Sequence, residues 1–387
     1  MRAGEKRTIE LQKRMRADGL DAFVVYDPDS IFYFAEYWDY LGMDYGRATL
    51  MVIPREGAPT LITPYMESEM ARRMTWVGDV VPWMDGVDGE WMQPLARLIG
   101  PKVVKRIGLE WDKTHAAVHR VLAGGDMGVE VVDSWRIISA MRMIKTPAEI
   151  QTMKEAGEVA AAMVAGGQAA IAEGVPEYEL ALAVIAGGTR KAGEIIARNK
   201  GRDPLDQFHS PTIYNLQVLQ SGEHTCLVHR RSTVKPLQRG DGIYFCCCGI
   251  ANFKGMKLGF DRMFFVKEAD DGWAHAHETA VKAQQTALRE VKPGAIAEDV
   301  NAAAVEIYTS AGYGPSYRTG RGVGFSFLEE PQLKVGDRTK LAPGMTFAVD
   351  GGVTVAGKYG GRIGDSIVVT DTGFDYLTNY PRGLTIV

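Results

Sequence analysis

Apolar positions recur along the first 140 residues with two different periods. Over 5–18, Ile9, Leu11 and Met15 stand among Arg and Lys, which reads as an amphipathic helix. Short apolar runs then follow at 20–26, 48–54, 59–64, 77–83, 106–111 and 129–134. Each is bounded by turn residues, which predicts strands. Asp27-Pro28-Asp29 reads as a turn after the first run. Helices are expected over 66–73 and between the last two runs. Strands alternating with helices define an α/β domain, closing near residue 140.

The pattern changes beyond that point. Thr146 can cap a helix, with Pro147 at its first position and Glu149 at its third. An Ala-rich helix is expected over 148–173 and a second over 177–192. From 212 the chain turns to strands (TIYNLQVLQSG, GIYFCCCGIANF, GFDRMFFVKE). A long helix over 273–291, a turn and helix over 291–312, and further strands with glycine turns complete it. No internal repeat is visible. Two domains are expected, 1–140 and 141–387.

Composition narrows the function classes. The net charge of −4 argues against a nucleic-acid binder. No 18-residue apolar run predicts a membrane span, and the charged start MRAGEKRTIELQKRMRADG lacks a signal-peptide core, so a cytoplasmic location is expected. Cys246, Cys247 and Cys248 are consecutive, which suits neither a disulfide framework nor a CxxC zinc site. In a strand Cys246 and Cys248 share one face, either as buried small residues or with Cys248 as a nucleophile or ligand.

Several stretches resemble landmarks of the creatinase and aminopeptidase P (pita-bread) family. They are ADGLDAFVVYDPDSIFYFAEY, RMIKTPAEIQTMKEAGEVA, LQSGEHTCLVHRRSTVKPLQRGD, VKPGAIAEDV, GRGVGFSFLEEP, LAPGMTFAVDGG and GGRIGDSIVVTDTG. They occur in the family's order across nearly the whole chain. The resemblance implies a creatinase-type α/β domain followed by a pita-bread α+β catalytic domain. Metallopeptidases of this family hold two divalent ions with two Asp, one His and two Glu. The corresponding positions here fall within Cys246–Cys248, near Gly259, and at Arg321, Asp350 and Gly364. All seven histidines lie at or before His277, so nothing later can supply the imidazole. Arg321 would set a permanent cation where a metal should sit. No metal and no other cofactor is therefore expected.

The creatinase-like branch works without metal, and its positions carry over. His229, 12 residues before Asp241, matches the proton-transfer histidine. Asp261 and Asp350 match the acids that hold a guanidinium group. Arg47 matches an N-domain arginine that reaches the partner subunit's site and grips a carboxylate. Lys257 falls where creatinase carries a tyrosine. Arg321, between two glycines, is expected to stand exposed in a loop as a carboxylate anchor. Lys254 is expected to be solvated. A histidine can activate water and then protonate a leaving amine. Two carboxylates can orient a cationic group.

The resemblance thus implies a metal-independent hydrolase for a C–N bond in a small guanidino, amidine or urea-like compound. Alternatives are a lyase working by proton abstraction, a non-catalytic binding protein, and an Xaa-Pro-type metallopeptidase with an altered site using Cys248, Asp261, Asp350 and Asp365. Asp in place of Glu at two positions shortens each arm by about 1.5 Å, so creatine itself is not the expected substrate. A homodimer, with each N-domain capping its partner's site, is also implied.

Overall fold

The computed structural model describes all residues except 85, 87–88, 101–103, 124–127, 214–217, 248–251 and 315–317. The chain divides into two compact units, Met1–Met141 and Arg142–Val387.

The first unit contains α1 (Ala3–Asp18), β1 (Ala22–Val25), α2 (Pro28–Ala35), α3 (Tyr40–Tyr45), β2 (Leu50–Pro54), β3 (Thr60–Pro64), α4 (Ser68–Met74), β4 (Asp79–Trp83), α5 (Met92–Ile99), β5 (Arg106–Leu109), α6 (Ala116–Ala123) and β6 (Glu130–Asp133). Helix α7 (Trp135–Met143) runs out of it. The six strands form one sheet in the order β4-β3-β2-β1-β5-β6. Pairs β1–β2 and β2–β3 are antiparallel and the others parallel. Helix α1 buries Gly4, Thr8, Leu11 and Met15; of the apolar residues read from the sequence, Leu11 and Met15 face inward and Ile9 is exposed. Asp27-Pro28 opens a helix rather than a turn. The Asp27 carboxylate accepts the Ser30 N–H at 3.1 Å, and Pro28 takes the first helical position.

The second unit begins with α8 (Pro147–Ala169) and α9 (Glu177–Asn199). Thr146 and Glu149 cap α8 reciprocally, at 3.3 and 2.7 Å. The two helices approach closely through glycine: a Cβ on Gly187 would lie 2.5 Å from the Ala162 carbonyl oxygen. Then come β7 (Val218–Ser221), β8 (Gly242–Cys246), the hairpin β9 (Asn252–Phe253) and β10 (Met256–Lys257), and β11 (Asp261–Phe265). Helices α10 (Asp271–Glu290) and α11 (Ala297–Ser310) precede β12 (Gly320–Gly322), β13 (Glu329–Leu333), β14 (Thr346–Val355), β15 (Tyr359–Val369) and β16 (Phe374–Tyr376).

An antiparallel sheet runs β13-β12-β14-β15-β11-β8-β7, with β16 also on β15. Ala276, Ala280, Ala283 and Ala287 of α10 pack with Phe347, Val349 and Ile367 of the sheet. Small residues let the helix come close, and Gly351 would place a Cβ 2.1 Å from the Ala280 carbonyl oxygen. Strand alternation then turns Asp350 to the opposite face from Val349 and Gly351. Among the described residues no helix is long and apolar enough to cross a membrane.

Candidate active site

Register assembles the candidate site in the second unit. Asp261 pairs with Cys246 on one side and with Gly364 on the other, and Gly364 pairs with Asp350. One row across four strands therefore reads Cys246, Asp261, Gly364, Asp350. Directly opposed residues share a face. A Cβ on Gly364 would lie 2.8 Å from Asp261 Oδ2 and 2.9 Å from Asp350 Oδ1. The missing side chain lets the two carboxylates converge. Asp261 is 5% exposed.

Arg321 lies in β12 opposite Ala348 and is 3% exposed. Its expected place in an exposed loop is therefore a correction. Gly320 and Gly322 serve close strand packing, with would-be Cβ atoms 2.6 Å from the Ala348 carbonyl oxygen and 2.8 Å from that of Glu329. The guanidinium donates from Nη1 to Asp350 Oδ2 at 2.5 Å and from Nε to the Phe327 carbonyl at 3.3 Å, and lies 4.1 Å over the Phe327 ring. Asp350 is thus divided: Oδ2 is held by Arg321, whereas Oδ1 is buried with no hydrogen-bond partner among the described residues.

The other positions are spread more widely. His229 stands exposed in the turn after the 3-10 segment Gly222–Cys226, where the neighbouring Val228 carbonyl accepts from the Gln220 amide at 3.4 Å. No described hydrogen bond joins its ring to Asp261 or Asp350. Lys257 closes the β9–β10 hairpin, and its N–H donates to the Gly324 carbonyl at 2.7 Å, beside the Arg321 strand. Cys248 lies outside the described residues. Arg47 is an exposed residue of the first unit whose N–H bonds the Leu41 carbonyl at 3.1 Å at the end of α3. Lys254, expected in solvent, instead pairs with Asp206 at 2.6 Å, with 9% and 6% of the side chains exposed.

Strand alternation reveals one more cation. Arg362 lies two residues before Gly364 on β15, hence on the same face, and pairs with Gly352. Its Nη2 donates to Thr354 Oγ1 at 2.6 Å, its Nε is buried without a hydrogen-bond partner, and it forms no ion pair among the described residues. Tyr308 Oη accepts the Gly352 N–H at 2.9 Å; burial, reinforced by the Asp350 charge, pushes this phenol up to about 12. Cys246, rather than Cys248, is the described cysteine opposite Asp261.

These residues do not fit the family's two-metal centre. Gly259 and Gly364 offer no ligand, and Arg321 Nη2 lies 3.1 Å from where a Gly259 Cβ would stand. Among the described residues no group of three or more His, Cys, Asp or Glu could hold a metal ion. Within the altered set, Asp365 is already committed to protein partners. Asp365 is fully buried and engaged by Arg262 at 2.8 Å, Arg382 at 3.0 Å, Thr378 at 3.0 Å and Gln284 at 3.2 Å.

Residues 151–371 match the profile of metallopeptidase family M24, and residues 7–144 match the creatinase/prolidase N-terminal domain. The chain belongs to family M24, a family of hydrolases, and has its two-domain α/β architecture. It is 27% identical to agropine synthesis cyclase of Rhizobium rhizogenes over 97% of this chain and 95% of that one. It is 26% identical to creatinase of Bacillus sp. strain B-0618, over 98% and 91% of the two chains. The fold matches dipeptidase PepE of Mycobacterium ulcerans with a TM-score of 0.82 and 24% identity, covering 100% and 98% of the two chains.

Proposed function

We propose that the protein is a metal-independent hydrolase that cleaves a C–N bond in a small guanidino, amidine or urea-like compound, one that also carries a carboxylate. The observation that carries this reading is the divided Asp350. One oxygen is neutralised by a buried arginine, and the other faces Asp261 across Gly364 with no partner of its own. A cationic planar group set between these carboxylates would donate charge-assisted hydrogen bonds to them and have its carbon polarised. Arg321, locked to Asp350, acts as the positioning cation in place of the carboxylate anchor expected from the sequence. Arg362, which has no acidic partner among the described residues, is better suited to the substrate's carboxylate.

In the proposed reaction His229 takes a proton from water, and the hydroxide adds to the polarised carbon. His229 then gives that proton to the departing nitrogen as the C–N bond breaks. His229 is exposed in the single chain. A homodimer would enclose it, with Arg47 of one copy reaching the other's site, as in the arrangement expected by resemblance.

The likeness to a cyclase supports a second reading, in which the nucleophile belongs to the substrate and a ring closes without added water. The test is a screen of guanidino, amidine, urea and lactam compounds, followed for released amine and product mass. Hydrolysis adds one water to the products; cyclisation adds none. Turnover that survives unchanged in both His229→Asn and Asp261→Asn would refute both readings.

A further inference from the structure

The segment 38–47 of the first unit carries Arg47 and is bounded by unusual backbone. Glu36 (φ 57°), Asp39 (φ 49°) and Gly46 (φ 63°) all adopt the left-handed conformation, which costs energy at the two non-glycine positions. Asp39 holds the segment together. Its Oδ1 accepts the Gly42 N–H at 3.3 Å as α3 begins, and the Arg47 N–H closes the far end on Leu41. Asp39 is 1% exposed, and its Oδ2 is buried with no hydrogen-bond partner among the described residues.

Among the described residues no cation acts on its carboxyl directly, and Lys113 stands 4.0 Å from Asp27. The Thr49 hydroxyl, which contacts the Thr63 hydroxyl at 3.1 Å, lies near the carboxyl and favours its charged form. Glu67, following β3, holds the Tyr37 phenol at 2.8 Å. The charged groups that face Asp39 are Glu67 and Asp27, both acidic, and Tyr26 and Tyr37 feel its charge in turn. Burial first, then these two acids, push the Asp39 carboxyl up to about 7, against the nearby Thr49 hydroxyl and the Gly42 N–H that pull it down.

We infer that Asp39 is a positioning residue for Arg47, a proton-operated clasp on the 38–47 segment. The protonated carboxyl keeps Gly42 on Oδ1 and needs no counter-ion. The bare carboxylate is enclosed beside Glu67 and Asp27 with one oxygen unserved, and lifting the segment admits the water that serves it. The segment and Arg47 therefore loosen progressively as the pH rises from the ordinary carboxylate range toward about 7, and no further above it. The clasp stands on its own geometry, whereas its link to turnover rests on the proposed role of Arg47.

The test uses amide hydrogen exchange of the full-length protein between about pH 4.5 and 8, corrected for intrinsic exchange rates. Peptides covering 38–47 should lose protection by at most about tenfold per pH unit as the pH rises from about 4 to about 7, and level off above that, while α1 stays constant. In Asp39→Asn, which keeps the acceptor and cannot ionise, protection should stay level. A flat wild-type profile, or an identical fall in Asp39→Asn, overturns the clasp. With a substrate in hand, KM should rise between about pH 5 and 7 in wild type and level off above, and should show no such rise in Asp39→Asn. A pH-independent KM beside a working clasp overturns the link to Arg47 alone.

Discussion

Replacing Asp350 by Asn should destabilise the second unit more than replacing Arg321 by Met. The pair spans 2.5 Å, but its partners differ in burial: 4% of the Arg321 side chain is exposed against 30% of Asp350. Breaking a fully buried pair costs about 3–5 kcal/mol and an exposed one about 0–1. In Asp350→Asn the guanidinium remains enclosed, with the Phe327 carbonyl at 3.3 Å and a neutral amide as acceptors, so a loss of about 3 kcal/mol is expected. In Arg321→Met the remaining carboxylate is partly hydrated, and about 1–2 kcal/mol is expected. The double variant should lose less than the sum of the two, by about 1–2 kcal/mol. Whole-chain melting would mix two units. Trp273 is the sole tryptophan after residue 135 of the seven in the chain, so urea unfolding followed on its 5-fluorotryptophan signal reports the second unit. Equal losses in the two single variants, or a coupling below about 0.5 kcal/mol, would refute the divided-carboxylate reading.

His277 is 2% exposed, and neither ring nitrogen has a hydrogen bond of ordinary geometry, although the Arg362 main chain lies near. Burial first, then the Arg262 charge, lowers its pKa to about 4. The neutral ring is favoured in the fold, so stability is complete above about 6.5 and is lost as the pH falls toward 4, by up to about 3 kcal/mol. His277→Leu should flatten this limb in pH-dependent urea melts. Lys145 and Glu329 form a pair at 2.5 Å with 1% and 5% of the side chains exposed. Lys145→Met alone should cost about 3–5 kcal/mol and Lys145→Met with Glu329→Leu clearly less, both read by calorimetry. Gly364→Ala forces a methyl between Asp261 and Asp350, so it should cost about 1–3 kcal/mol in the same melts and abolish turnover in the compound screen.

The alternation of short apolar runs and helical stripes made the two-part architecture legible, and the Thr146-Pro147-Glu149 signature marked the start of α8. Helices α2, α3, α5 and α7 were not seen. α3 has six residues and no buried side chain, so it leaves no apolar stripe. Asp27-Pro28 carries a turn signal that a helix N-terminus shares. Asp261 and Asp350 could be chosen from the sequence, but their convergence could not, because it depends on strand register about Gly364. Arg321 shows the same limit. Glycines on both sides suggest a loop, yet here they admit neighbouring backbone to a buried strand. Arg362 was within reach, since a period of two from Gly364 places it on the site face.

The most direct test of metal-independent C–N hydrolysis is amine release from the guanidino, amidine and urea panel by protein stripped with EDTA and assayed in metal-free buffer. Turnover should match that of untreated protein and should not rise when Mn2+ or Zn2+ is added. Turnover that vanishes with the chelator and returns when about two ions per chain are restored would contradict it.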